Sequence, residues 1–247
     1  MGQSDLDVLK REGRGGAQMA GLAAEDYLAD IYRLETEGVA ATTGNVAERR
    51  NVAPASATAM FKRLARDGLV TYREYEGVVL TEDGQRLALA ILRRHRLTER
   101  FLTDVLRIPW DRVDGIADQM EHALPDEVVD ALERMLGSPF TCPHGYPIPD
   151  RQGHIVPSGS VATLADVPPG GRARVVRVDE HVPGLLAYLA GLGVVPGAEL
   201  QVVSANPLDE TVTLRVATSA GAPLVVGPRV ARAVGVAVEG GAAPAQG

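Results

Sequence analysis

The sequence is poor in several features by which protein classes are recognised. Its 247 residues include one cysteine, Cys142, which rules out a disulfide within the chain and fits a reducing cytoplasm. Aromatic residues make up only 4% of the chain. No apolar run approaches the roughly 18 residues needed to cross a membrane, and the N-terminus lacks the apolar segment of a secretory signal. We therefore expect a cytoplasmic protein that does not enter membranes.

The charge of the chain is negative overall but unevenly distributed. The net charge of -7 argues against a chain that is basic throughout. However, residues 40–73 carry six basic side chains against two acidic ones, whereas residues 111–139 carry eight acidic side chains against two basic ones. The first segment suits a polyanion such as nucleic acid, and the second suits cations.

A winged helix–turn–helix unit is predicted around the basic segment. Apolar residues at helical spacing first predict an amphipathic helix over residues 23–37. A short helix through Val46 follows, and Pro54 stands at the first turn of a second helix, which Gly68 ends. The β-rich residues 69–80 then predict two strands joined by a turn near Gly77, which form a wing.

The second helix of this unit has the composition of a DNA recognition helix. Small and hydroxyl side chains at its exposed start suit base edges, and the cations that follow suit phosphates. A helical hairpin that packs within some other all-α domain is the alternative. The candidate DNA-contacting residues of the whole unit are Thr43, Arg49, Arg50, Pro54, Ala55, Ser56, Thr58, Lys62 and Arg63.

An acidic helix is predicted from Val113 to His122. Three carboxylates and one imidazole recur in it at positions i, i+4, i+7 and i+8, namely Asp114, Asp118, Glu121 and His122. These four side chains share one helical face. Because like charges on one stripe repel each other unless a cation joins them, a metal site is one interpretation. A solvated acidic surface is the other.

Further residues of metal-ligand type lie on both sides of the acidic helix. His95 and Glu99 are four residues apart on a predicted long helix that ends near Leu106, so they share a face. Cys142 and His144 fall in a proline-dense segment that cannot be helical, and they point to the same side if it is extended. Each pair alone is weak evidence, since a surface contact or an ordered loop explains it equally well.

The C-terminal third of the chain changes to short β-rich runs broken by glycine and proline. Strands are predicted over residues 173–178, 198–204, 211–216, 223–226 and 230–234, and one apolar helix over 184–192. Short strands at this spacing are typical of a small β-barrel. Before this part, Asp126 begins a helix whose apolar side suits dimer contacts as well as core packing.

In their order along the chain, these motifs resemble the diphtheria toxin repressor family of metal-dependent transcriptional repressors, in its three-domain form. The residues that carry the resemblance are the helix–turn–helix, the His95 and Glu99 pair, Asp118-x-x-Glu121-His122, and Ser138-Pro-Phe-Thr-Cys-Pro-His-Gly-Tyr-Pro-Ile-Pro149. The C-terminal part resembles the SH3-like, FeoA-type barrel of that family. The resemblance implies a mainly α fold with a β part: a winged helix–turn–helix, a helical dimerisation domain and a small β-barrel.

The expected domain organisation follows this resemblance. It comprises a flexible tail at residues 1–21, a winged helix–turn–helix DNA-binding domain at 22–86, a helical metal-binding and dimerisation domain at 87–149, a linker at 150–160, an SH3-like barrel at 161–239, and a disordered tail at 240–247.

The resemblance also implies two metal sites. The first set of ligands is Asp26, Asp118, Glu121 and His122, with His95 adjacent, and the second is Glu99, Cys142, His144 and Asp179. The iron-responsive branch of the family has a methionine and a cysteine where this chain has Asp26 and Asp118. Since oxygen donors suit the harder Mn²⁺, we expect manganese, with Fe²⁺ as the alternative and Co²⁺, Ni²⁺ or Zn²⁺ as substitutes in vitro.

The function implied by the resemblance is repression of metal-uptake and metal-homeostasis genes. The protein is expected to bind a palindromic operator as a homodimer when it is loaded with metal. We do not expect an enzyme, because the sequence has no evident nucleophile, phosphate-binding loop or substrate-shaping aromatics. Two competing hypotheses are a metalloenzyme built on the His/Glu cluster and a winged-helix protein whose acidic helix binds a protein partner.

Overall fold

The computed structural model describes residues 21–156, 161–179, 182, 184–217 and 222–238. Of the predicted tails at residues 1–21 and 240–247, residues 1–20 and 240–247 lie outside the described residues, and Gly21 belongs to the first helix. Within the described residues the chain forms two compact units, one made of residues 21–94 and Pro149–His154 and the other of His95–Ile148 and residues 155–238. Among the described helices, none combines the length and apolar character that crossing a membrane requires.

The first unit has the predicted winged helix–turn–helix architecture. Its core centres on Phe61, whose ring packs against Tyr27 and Tyr72, together with the buried Leu28 and Ile31. The elements are α1 over residues 21–36, α2 Thr43–Arg50, α3 Pro54–Arg66, β1 Val70–Arg73, β2 Gly77–Leu80 and the start of α4, which runs Glu82–Asp104.

Local sequence signals explain where these elements begin and end. The Thr42 hydroxyl accepts a hydrogen bond from Asn45 N and caps the start of α2. Asn51 ends α2 in the left-handed conformation, and Pro54 occupies the first turn of α3, where its missing N–H costs no hydrogen bond. The wing strands pair antiparallel, and a three-residue turn joins them.

The helical part of the second unit continues α4 and adds two short helices. These are α5 Asp114–Glu121 and α6 Asp126–Met135. Leu102 of α4 packs with Val113 and Ala117, so that the apolar side of α5 faces α4. The acidic helix is therefore present as predicted, with Val113 and His122 as its flanking residues.

The C-terminal part of the second unit is one antiparallel sheet of six described strands. The strand order is β3-β8-β4-β5-β6-β7. Alternate residues such as Leu200, Val202 and Leu214 point into its core, which the apolar helix α7 covers. The elements are β3 Ala162–Thr163, a 3-10 turn Leu164–Asp166, β4 Arg172–Val178, α7 Leu185–Leu192, β5 Glu199–Ala205, β6 Val212–Val216, β7 Leu224–Val226, α8 Pro228–Ala233 and β8 Val234–Val238.

The predicted strand at residues 230–234 is wrong. Most of that stretch belongs to α8, and the last strand begins only at Val234. Pro228 at the first helical turn favours the helix, and Val230 and Val234 are spaced at i and i+4, which fits a helix as well as a strand. The sequence reading also missed β3, since its two residues are too short for a period.

Candidate metal centres and nucleic-acid interface

The acidic face of α5 meets one buried histidine of α4. His95 is 1% exposed. Its Nδ1 lies 2.7 Å from Glu121 Oε2 and 3.4 Å from Asp118 Oδ1. Its Nε2 lies 3.3 Å from Asp114 Oδ1 and 3.7 Å from Glu99 Oε1. His95 is therefore the centre of a four-carboxylate cluster, and Asp114, which the sequence reading left out of the ligand sets, belongs to it.

The carboxylates control the protonation of this histidine. Burial by itself lowers the pKa of His95, but the charge of Glu99 and hydrogen bonds to Asp114, Glu121 and Glu99 outweigh it, so the pKa lies well above its ordinary value. The imidazolium is thus the cation that balances the acidic face when no metal is bound. Because a metal ligand must be a neutral imidazole, a metal ion at this cluster would replace the proton.

A second cluster of ligand types lies one helical turn along α4. Glu99, Cys142 and His144 are all buried, and one ligand atom from each lies within 4.8 Å of the others. His144 Nδ1 is 2.8 Å from Glu99 Oε1, while its Nε2 donates to the Trp110 carbonyl oxygen at 2.8 Å. That carbonyl holds the proton on Nε2, which leaves Nδ1 of a neutral ring available as a ligand. A carboxylate, a thiol and an imidazole suit a transition metal.

The backbone of the Cys142–His144 segment is docked onto strand β4. Val178 N donates to the His144 carbonyl oxygen at 2.9 Å. Gly145 has φ +91°, and a Cβ at this position would lie 1.9 Å from the Val176 carbonyl oxygen. Only glycine therefore allows the segment to lie this close to the strand.

Two arginines hold the residue after this glycine. The Tyr146 ring lies 5.4 Å from the Arg96 guanidinium carbon and 5.7 Å from that of Arg177. Arg96 also donates to the Pro147 carbonyl oxygen at 2.6 Å. The sequence reading missed these contacts, because nothing in the spacing of the arginines links them to Tyr146.

The remaining predicted ligands have different surroundings. His122 follows α5, with its Nε2 3.5 Å from Glu121 Oε1. Asp179 directly follows β4 and donates its N–H to the Ala233 carbonyl oxygen, but it is not part of the Glu99, Cys142 and His144 cluster. Asp26 lies on α1 in the first unit, where its Oδ2 is 2.8 Å from the Arg50 guanidinium.

The predicted DNA-reading residues of α3 are exposed or half-buried in the structure. Pro54, Ala55 and Ser56 are exposed at its start, Thr58 and Arg63 are half-buried, and Lys62 is exposed further along. The base of the wing and the helix–turn–helix enclose a groove. Its lining includes Thr42, Thr43, Thr58, Tyr72 and Tyr75.

The two predicted DNA-contacting arginines of α2 are paired within the protein. Arg49 contacts both carboxylate oxygens of Glu37 at 2.9 and 2.8 Å. Arg50 contacts Asp26, and its Nη1 lies 3.3 Å from Asp30 Oδ2. Burial alone would lower the pKa of Arg50, but the charges of Asp30 and Asp26 raise it. Arg50 thus links α2 to α1, and Arg49 links α2 to the turn that follows α1.

Comparison with family models gives matches over most of the chain. A model described as "Iron dependent repressor, N-terminal DNA binding domain" matches residues 20–78. One described as "Iron dependent repressor, metal binding and dimerisation domain" matches residues 81–150. A third, described as "FeoA domain", matches residues 162–238.

Among the proteins to which this chain is similar, one has a name that states iron and another has a name that states manganese. The iron-dependent repressor IdeR of Mycobacterium bovis is 36% identical over 193 residues, which cover 72% of this chain and 82% of that protein. The diphtheria toxin repressor of Corynebacterium diphtheriae is 35% identical over 163 residues, covering 63% and 72% respectively. A solved structure described as a "Manganese-dependent transcriptional repressor complex with manganese" has a TM-score of 0.80 at 33% identity, covering 86% of this chain and 98% of that one.

Proposed function

The chain belongs to the diphtheria toxin repressor family of iron- and manganese-dependent transcriptional repressors, and on this premise we propose how it works. It represses transcription in response to a metal ion. We propose that the metal-loaded protein binds a palindromic operator as a homodimer in the cytoplasm and controls metal-uptake and metal-homeostasis genes. It acts by binding, without catalysis. The parts that do this are the proposed DNA-binding domain at residues 22–86, the metal-binding and dimerisation domain at 87–149 and the barrel at 161–239.

The observation that carries the proposal is the closure of the acidic face of α5 on His95. Four carboxylates surround one buried imidazole, whose proton supplies positive charge between them. A divalent ion supplies more positive charge at this position than a proton does. The proposed ligands of the first ion are Asp26, Asp118, Glu121 and His122, with His95 adjacent.

The donor set favours manganese as the physiological ion. Asp26, Asp118 and Glu121 offer oxygen, which suits the hard Mn²⁺. The name of the mycobacterial relative supports Fe²⁺ as the second candidate. The mixed histidine and carboxylate set also accepts Co²⁺, Ni²⁺ or Zn²⁺ in vitro.

A second ion is proposed at Glu99, Cys142 and His144, with Asp179 as the fourth ligand. The support is the burial of the first three residues and the fixed tautomer of His144. Asp179 follows Val178, whose N–H already bonds to His144. Metal at this site therefore stabilises the docking of the segment onto β4.

The DNA contacts are proposed to come from α3 and its neighbours. Ser56 and Thr58 suit base edges in the major groove, while Lys62 and Arg63 suit phosphates. A homodimer presents two such helices to the two halves of a palindrome. Val128 and Met135 of α6 are 39% and 55% exposed, and these apolar side chains suit a dimer contact.

Metal and DNA binding are linked through the equilibrium between arrangements of the protein. An ion that binds only the DNA-competent arrangement increases its population by the difference in affinity. The proposed first site takes ligands from α1 and from α5. Metal binding therefore acts on the helix that precedes the helix–turn–helix formed by α2 and α3, which we call the reading unit. No direct contact between the ion and DNA is needed.

The test is DNA binding with and without metal. DNA that the Mn²⁺-loaded protein retains from a random library is titrated by fluorescence anisotropy, once with Mn²⁺ and once with a chelator. We expect Mn²⁺ to tighten binding by at least about fivefold, as the typical size of coupling between sites suggests. Equal affinity in both conditions would rule out metal-dependent repression.

A further inference from the structure

One arginine of the reading unit neutralises two carboxylates on the helix before it. Asp26 and Asp30 are four residues apart on α1 and therefore share a face. Arg50, the last residue of α2, reaches both, at 2.8 Å from Asp26 Oδ2 and 3.3 Å from Asp30 Oδ2. Its guanidinium carbon also lies 5.6 Å from the centroid of the Tyr27 ring. Arg50 is thus held from three sides.

We propose that Arg50 is an internal counter-cation that competes with the metal ion for Asp26. This inference rests on the proposed function, because it requires Asp26 to be a metal ligand. The competition sets the metal concentration at which the repressor responds. Loss of Arg50 therefore makes the protein more sensitive to metal.

The sign of the effect follows from where Arg50 is fixed. Asp30 is only 3% exposed, and it also pairs with Arg33 at 3.2 Å. Because Arg50 is bound to this buried carboxylate as well as to Asp26, it keeps its positive charge close to Asp26 when an ion arrives. A divalent ion then has to share the carboxylate with a guanidinium that repels it.

The opposite role, in which Arg50 favours metal binding, predicts the opposite change in Mn²⁺ affinity when Arg50 is replaced. If Arg50 mainly held the Asp26 side chain in the right orientation for metal, its removal would weaken metal binding. The Asp26 side chain is 23% exposed and that of Arg50 is 29% exposed, so solvent only partly screens the pair. We therefore expect repulsion to outweigh any orienting effect, and the direction of the change in affinity separates the two roles.

The same pair connects the proposed metal ligand to the DNA-reading helix. Asn51, which follows Arg50, closes α2 in the left-handed conformation, and α3 begins three residues later at Pro54. When metal weakens the Asp26–Arg50 pair, the change reaches the end of α2, directly before the turn. Arg50 therefore helps to transmit the binding of metal to the reading unit, and it also sets the metal concentration at which the repressor responds.

The experiment measures Mn²⁺ affinity by titration calorimetry on the full chain without DNA. Arg50→Gln removes the charge and keeps a side chain of similar polarity. Arg86→Gln is the matched control, because Arg86 is exposed and pairs only locally with Asp83 at 3.0 Å. We expect Arg50→Gln to bind Mn²⁺ about 1.5- to fivefold more tightly than the wild type, the range for loss of one partly screened ion pair. Arg86→Gln is expected to match the wild type.

A second pair of variants tests whether the effect acts through Asp26. In an Asp26→Asn background, the gain in Mn²⁺ affinity from Arg50→Gln is expected to disappear. Position 26 then carries no carboxylate for which Arg50 and the ion could compete. Arg50→Lys keeps the charge but replaces the fixed fork of the guanidinium by a single, more mobile ammonium, so it is expected to bind Mn²⁺ more tightly than the wild type and less tightly than Arg50→Gln. This variant supplies the test if Arg50→Gln does not fold, as thermal unfolding would reveal.

The outcomes separate this inference from the function on which it rests. A wild-type protein that binds no Mn²⁺ overturns both. A wild type that binds Mn²⁺, with Arg50→Gln equal to it or weaker, overturns the competition alone. A gain that persists in the Asp26→Asn background, or that appears equally in Arg86→Gln, also overturns it.

Discussion

At the scale of single residues, His95 supplies a positive charge among the carboxylates of the acidic face. Its imidazolium balances carboxylates of α4 and α5 that would otherwise repel each other. A divalent ion bound at this cluster would take the place of the proton. His95 therefore has a structural role, and in the proposed function it lies beside the first metal ion.

The pH dependence of stability is the first expected consequence. The pKa of His95 is raised in the folded state above its unfolded value of 6.5. The stability it contributes is therefore fully present below pH 6.5 and is lost as the pH rises through the folded-state pKa. Urea unfolding of the metal-free wild type and His95→Gln should show a stability difference that shrinks as the pH is raised above 6.5. A difference that grows with pH would contradict the charged network.

The second expected consequence concerns which metal ion the protein prefers, and it depends on Asp26. We expect Asp26→Met to shift the preference from Mn²⁺ towards Fe²⁺ and Co²⁺, because a thioether is a softer donor than a carboxylate. The measurement is a DNA-binding titration across Mn²⁺, Fe²⁺, Co²⁺ and Zn²⁺ for both proteins. An unchanged order of metals would show that Asp26 does not select the ion.

Spacing predicts which residues share a helix face but gives little about pairs from different elements. The i, i+4 and i+7 pattern predicts the acidic face of α5, and Asp114 is part of that predicted face. Its contact with His95 depends on the packing of α4 against α5, which spacing does not give. The Arg50 pair with Asp26 likewise depends on how α2 packs on α1.

At the scale of elements, the segment that carries Cys142 and His144 gains its shape from β4. The carbonyl of His144 bonds to the strand, and Gly145 allows the close approach. A second metal site built on this segment therefore depends on a backbone contact as well as on its ligands.

Gly145→Ala tests that dependence without removing any ligand. The added Cβ meets the Val176 carbonyl oxygen at 1.9 Å, so we expect loss of the site, seen as loss of the cobalt–thiolate absorption of Co²⁺-loaded protein. Gly137→Ala is the control, because Gly137 has a similar positive φ of +73° but nothing within 4 Å of an added Cβ. Equal spectra for the two variants would show that the contact is unimportant.

The start of α4 offers a matched test of packing in the first unit. A Cβ on Gly84 would lie 1.9 Å from the Leu69 carbonyl oxygen, whereas one on Gly115, also in the first turn of its helix, meets nothing within 4 Å. Gly84→Ala should lower the free energy of unfolding by about 1–3 kcal/mol. Gly115→Ala should leave it unchanged or raise it by up to about 1 kcal/mol. Chemical denaturation measures both, and a Gly84→Ala protein as stable as the wild type would refute the close contact.

The predictability of the elements depended on their length and on a single dominant period. The longer helices α1, α3 and α4 have clear apolar faces and terminal signals, and their predictions were confirmed. The stretch Pro228–Ala233 has apolar residues that fit two periods, and the short strand β3 is defined by its pairing with β8. Tertiary pairing, which local sequence does not encode, therefore defines β3, whereas Pro228 is a local signal for α8 that the predicted strand overlooks.

At the scale of the whole molecule, three parts of the chain differ in charge and structure. The reading unit is basic, α5 presents an acidic face, and the C-terminal sheet holds the segment that bears Cys142. The order of these motifs along the chain was enough to predict the family, which the family models and relatives confirmed. The physiological metal is a finer property, because one set of oxygen and nitrogen ligands accepts several divalent ions.

In the proposed function, metal binding and DNA binding are thermodynamically linked. Linkage is reciprocal, so a metal that tightens DNA binding must itself bind more tightly when DNA is present, and by the same factor. The most direct measurement is calorimetric titration of Mn²⁺ into the protein alone and into its complex with selected DNA. We expect a higher Mn²⁺ affinity in the complex, with a ratio equal to the gain in DNA affinity that Mn²⁺ causes. Equal Mn²⁺ affinity with and without DNA would contradict the account.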